Sequence, residues 1–124
     1  MKYRSFIKKS PLSSEMKKIE KYLGKTSAQL GFGWGNGYVA FQKPHPFYGL
    51  GYDEINYFIQ VFGGLTYSEP LKEMPNLSFS DDDMWCVGFD TAHSGGGHYK
   101  IEDVQAKTDL LLIQLAIHGI KGAT

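Results

Sequence analysis

The chain has 124 residues, of which 42% are hydrophobic and 21% charged, which suits one domain with a buried core and argues against a disordered or fibrous chain. Its 13 basic and 13 acidic residues cancel, Arg4 is the only arginine, and no apolar run reaches the length of a membrane span, so neither sequence-specific DNA binding nor membrane insertion is expected. The single cysteine, Cys86, excludes an internal disulfide and a cysteine-rich zinc site, and Met1–Arg4 leads into no apolar signal region, so a cytoplasmic protein is expected.

Taken in chain order, residues 1–25 are strongly basic, with a local excess of six positive charges, and the middle of the chain is acidic. Within that basic segment, Ser10-Pro11 resembles a helix start and Gly24 a helix stop. Leu12, Met16, Ile19, Tyr22 and Leu23 fall at helical spacing between them, which predicts a surface helix over 11–23 with one apolar stripe. From Gly31 to Tyr38 glycine alternates with aromatic or polar residues. That period suits an extended backbone, and the missing side chains on one face would let another backbone or a ligand approach closely.

Tyr38–Gln42, Asn56–Phe62 and Met84–Asp90 read as strands, with a bend at Gly63-Gly64 and a short continuation through Leu65–Ser68. Pro70–Asp83 reads as a solvated loop. Ile101, Val104, Thr108, Leu111, Leu112 and Leu115 then mark a long helix, with Glu102 and Asp103 favourably placed at its start and Gly119 expected to end or fray it. The order helix, strands, helix predicts a single α+β domain over 1–124, with an antiparallel or mixed sheet, an N-terminal helix and a long C-terminal helix packed on it.

Three polar, glycine-containing turns interrupt the strands: His45–Asp53, Gly63–Ser68 and Asp90–His98. Loops held at strand ends are common sites of binding or chemistry. From them come the candidate ligand-binding residues His45, Tyr48, Tyr52, Asp53, Gly63, Gly64, Thr66, Ser68, Asp90 and His93. Asp90, His93 and His98, with His45, have ligand chemistry for a metal but match no strong metal signature, so no metal or cofactor is expected. His45 or His93 would be the base of a catalytic set, Asp90 or Asp53 its orienting acid, and Thr66, Ser68 or Cys86 a nucleophile; Cys86, between Trp85 and Val87, reads first as a core residue. Gly95-Gly96-Gly97 and Gly63-Gly64 offer backbone N–H groups to an anion, although neither forms a Walker loop. All the aromatics except Tyr3, Phe6 and Tyr22 lie between Phe32 and Tyr99, so a few would be available to stack a nucleobase.

Three blocks carry a resemblance: His45-Pro46-Phe47-Tyr48-Gly49 with Tyr52-Asp53, Gly63-Gly64-Leu65-Thr66-Tyr67-Ser68, and Gly88-Phe89-Asp90-Thr91-Ala92-His93-Ser94-Gly95. With a glycine-aromatic entry around Gly37-Tyr38-Val39 and the helix containing Leu111, Gln114 and Leu115, the chain over about residues 36–116 resembles a group of small, uncharacterised proteins encoded by bacteriophages and bacteria. Phe62 and Gly96 stand where that group's pattern has histidine and aspartate, which removes two candidate metal ligands or acid–base groups. The resemblance implies a phage or prophage context and brings no stated activity.

The leading expectation is a non-catalytic protein of the bacterial host cytoplasm that sequesters a nucleotide-derived defence signal. A homo-oligomer would suit that role, with the basic N-terminal helix facing the acidic middle of a neighbour. The alternatives are a small hydrolase or phosphodiesterase centred on His45, Asp90 and His93, and an inhibitor that contacts a host protein through Asp81-Asp82-Asp83.

Overall fold

Side-chain alternation along two central strands decides which way the sheet faces. In β2 (Gly35–Phe41), Val39 and Phe41 turn to one side and Tyr38 and Ala40 to the other. In β4 (Trp85–Phe89), Val87 and Phe89 join the first side and Cys86 the second. Both strands are therefore buried on both faces, which is why they read as nearly continuous apolar runs. The computed structural model describes residues 2–9, 14–25, 33–61, 63–74, 83–91 and 99–122.

Two further strands, β1 (Tyr3–Lys9) and β3 (Tyr67–Pro70), complete a four-stranded antiparallel sheet in the order β1-β2-β4-β3. At one end of the sheet Tyr3 pairs with Phe41, Phe41 with Trp85, and Trp85 with Pro70. At the other end Ile7 pairs with Gly37 and Gly37 with Phe89. β1 is a strand that the sequence reading did not anticipate. Its Arg4, Lys8 and Lys9 suit an edge, where charge discourages pairing with another chain.

Helix α1 (Ser14–Leu23) follows β1, and residues 11–13 of the expected helix lie outside the described residues. Tyr22 and Leu23, expected on its apolar stripe, are exposed. The longest element is α3 (Ile101–Gly122), which packs on β1 and β2. Its start is closed by the Asp103 carboxylate, which accepts the Lys100 N–H at 2.9 Å in the manner of a capping box.

Gly119 does not end α3, which continues to Gly122. A Cβ at Gly119 would run into the Tyr3 hydroxyl and stand 3.2 Å from His45 Cδ2, so the glycine is a packing requirement where β1 and the His45 turn meet the helix. Gly37 does the same near the helix start, where a Cβ would collide with Thr108 Oγ1 and lie 2.6 Å from the Phe89 ring. Of the period-two glycines, Gly37 thus admits α3.

The expected strand Asn56–Phe62 is overturned. A single helical turn, α2 (Tyr52–Ile55), leads into a turn over 56–58 and an irregular stretch over 59–61, and Phe62 lies outside the described residues. Ile55 and Ile59 are buried against Val39, Phe41, Val87 and Leu115, so this segment's apolar residues serve packing, not pairing. At Gln60 the backbone is satisfied by a side chain of α3: Gln60 N–H donates to Gln114 Oε1 at 2.9 Å, and Gln114 Nε2 donates to Gln60 O at 2.8 Å. Leu71–Glu73, expected as loop, forms a short 3-10 turn beyond β3.

Candidate functional site

His45 is enclosed by Tyr3, Phe41 and Phe47, with ring centroids 6.1, 4.3 and 5.2 Å away. Its Nδ1 accepts the Phe47 N–H at 3.0 Å, which leaves Nε2 as the protonated nitrogen, donating to Leu115 O at 2.8 Å. Burial pushes the imidazole below its ordinary value of 6.5, opposed by the bond to Leu115 and aided slightly by His118. Both nitrogens are thus engaged within the fold, and the ring ties the turn after β2 to the last part of α3. The base expected at this position is a neutral structural histidine.

Cys86 is likewise part of the core. It is buried among Tyr38, Ala40, Leu71, Met74 and Met84, and burial pushes its thiol up to about 12, far from a reactive thiolate. The expectation of a core role holds, and the nucleophile role loses its chemistry.

The first two expected loops are joined by two sets of hydrogen bonds. Tyr52 N–H donates to Ser68 Oγ at 2.9 Å, so Ser68 satisfies a backbone donor at the start of α2. Asn56 grips the backbone of Leu65 from both sides: Leu65 N–H donates to Asn56 Oδ1 at 2.8 Å and Asn56 Nδ2 donates to Leu65 O at 3.1 Å. This clamp holds the Gly63-Gly64 turn in place. The glycines there have φ of 76° and 79°, which side-chain-bearing residues rarely adopt, and Gly64 N–H closes the turn onto Val61 O at 2.8 Å. Around the clamp, Tyr52, Asp53, Tyr57, Gly63 and Thr66 are exposed.

Asp90 stands elsewhere. It follows β4 at the Gly37 end of the sheet, half-buried, and its carboxylate helps raise the Tyr38 hydroxyl, after burial as the main cause and the Cys86 thiol; a bond from Asn36 opposes the shift. Thr66, whose N–H donates to Gly88 O at 2.9 Å, lies at that same end. His45 and Tyr48 follow β2 at the opposite end, separated from Asp90 by the length of β4, about 13 Å. Residues 52–53 and 63–68 are thus brought together by the Tyr52–Ser68 bond, with Asp90 at the same end of the sheet as Thr66 and with His45 and Tyr48 at the other. His93, His98 and Gly95–Gly97 lie outside the described residues. Among the described residues no three His, Cys, Asp or Glu side chains gather as metal ligands.

The bonding roles of Asn56 and Gln114 were missed because an amide that completes a distant backbone has no local sequence signature. A third missed feature surrounds Tyr48. Lys43 Nζ lies 5.1 Å from its ring centre and Trp85 packs at 6.1 Å, while the Trp85 indole N–H donates to Leu50 O at 3.0 Å. The nearby aromatics and proline signalled a turn, but only the fold brings Trp85 to it.

Comparison of the chain with protein-family models, with curated proteins and with solved structures finds no match. No helix among the described residues is long and apolar enough to cross a membrane.

Proposed function

We propose that the chain binds a nucleotide-type small molecule without transforming it, using the surface of residues 52–68. The observation that carries this reading is the Asn56 clamp on Leu65, which fixes the double-glycine turn beside exposed Tyr52, Tyr57 and Thr66. A turn already held in shape loses little conformational entropy when a ligand arrives, which favours affinity. Aromatic faces suit a base, at about 1–3 kcal/mol per stacked base, and the close approach permitted at Gly63 and Gly64 suits ribose or phosphate. The engagement of both His45 nitrogens favours holding a ligand over acid–base turnover.

In the phage or prophage setting implied by the resemblance, the protein removes a nucleotide-derived defence signal in the bacterial cytoplasm. Calorimetric titration with mononucleotides, dinucleotides and cyclic oligonucleotides tests the site. At least one should bind with micromolar or tighter affinity, and Tyr52→Ala or Thr66→Ala should weaken it tenfold or more without lowering the melting temperature appreciably. Binding unaffected by both substitutions would remove the site from this surface, and conversion of the titrated nucleotide would identify an enzyme.

A further inference from the structure

α3 has a second apolar side that the fold does not cover. Val104, Thr108, Leu111, Leu115 and Gly119 face the sheet and are buried. On the opposite side Leu110, Ile113, Ile117 and Ile120 are 51%, 54%, 45% and 70% exposed. A helix that is apolar on both sides is ordinarily enclosed on both. The stripe alternates steps of three and four residues, with exposed Ala106 four residues before Leu110, and this is the spacing of a coiled-coil seam. Leu110 and Ile117 take the a positions; Ala106, Ile113 and Ile120 take the d positions.

The charges flanking the stripe choose its occupant. Glu102 and Asp109 fall at g positions, and Lys107 and Lys121 at e positions. In a parallel pair of identical helices, g of one faces e of the other, so Glu102 of each copy meets Lys107 of its mate. A fully overlapping antiparallel pair would set g against g and e against e, leaving Asp109 against Ala116 and Lys107 against Gln114, so that neither charge meets an opposite one. The area also fits. The four large side chains of the stripe expose on the order of 400 Å² of apolar surface, close to the apolar share of a standard interface of about 800 Å² per partner.

We propose that two copies of this chain associate through the outer side of α3 as a parallel, in-register helix pair. The contact involves none of the residues proposed to bind ligand, so it stands or falls independently of that function.

Sedimentation velocity of the full chain at tens of micromolar should show a dimer. Ile113→Lys with Ile117→Lys should give a monomer of unchanged far-UV circular dichroism, whereas Ile117→Leu should remain dimeric. Lys107→Glu should weaken association about tenfold, and adding Glu102→Lys should restore it, a rescue that no folding defect would produce. Ile120→Cys should form a disulfide-linked dimer under mild oxidation, because only a parallel pair brings the two copies of position 120 together. A monomeric native chain, or a dimer indifferent to the two lysines, would overturn the proposal and leave this side of α3 to a different protein. A dimer that persists without the Ile120→Cys cross-link would overturn the parallel arrangement.

Discussion

At His45 the direction of titration follows from its surroundings. The folded ring has a lowered pKa, so between that value and 6.5 the unfolded chain binds a proton that the folded chain does not. The stabilisation from the neutral ring is therefore complete above about pH 6.5 and declines as the pH falls below it, by at most about 1.4 kcal/mol per pH unit for one proton. Thermal melts between pH 7.5 and 5 should show this loss in the native chain and a shallower one in His45→Gln. Equal slopes would remove His45 as the cause. Cys86 offers a second check: with its thiol buried and its pKa near 12, it should resist iodoacetamide at pH 8 in the folded protein and react on unfolding. Labelling at the same rate in both states would show the site to be open.

Among the elements, those specified by local pattern were legible. The periodic apolar residues of α3, its acidic first turn and the apolar runs of β2 and β4 all emerge as elements close to their expected bounds. What failed depended on contacts far along the chain. Asn56–Val61 has strand-like composition, but its first four N–H groups bond back to Tyr52, Glu54 and Ile55 and remote Gln114 takes both backbone groups of Gln60, so tertiary packing overrides propensity. Gly119 looked like a helix stop because its partners, Tyr3 and His45, are remote in sequence. The close approach of α3 to β2 predicts that Gly37→Ala will cost about 1–3 kcal/mol through overpacking against Thr108 and Phe89. Urea unfolding measures it, and a stability unchanged within about 0.5 kcal/mol would mean that the helix stands farther off.

For the whole molecule, sheet register decides what the candidate residues can do together. The sequence marked all three turns but carried no information on which strand ends they share. Antiparallel pairing places His45 and Tyr48 at the Phe41–Trp85 end and Thr66 and Asp90 at the Gly37–Phe89 end. Tyr52 and Ser68 lie between, joined by their hydrogen bond. A three-residue catalytic centre of His45, Asp90 and His93 would need to span that distance with an imidazole already bonded at both nitrogens. A binding surface needs only that 52–68 keep its shape, which the Asn56 clamp supplies.

The most direct test of binding without turnover is mass spectrometry of the small molecules released when the protein, purified from bacteria with an active nucleotide-signalling defence, is denatured. An intact signal nucleotide should be released by the native chain and be absent from Tyr52→Ala/Thr66→Ala. A hydrolysed product, or the same nucleotide from both proteins, would contradict it.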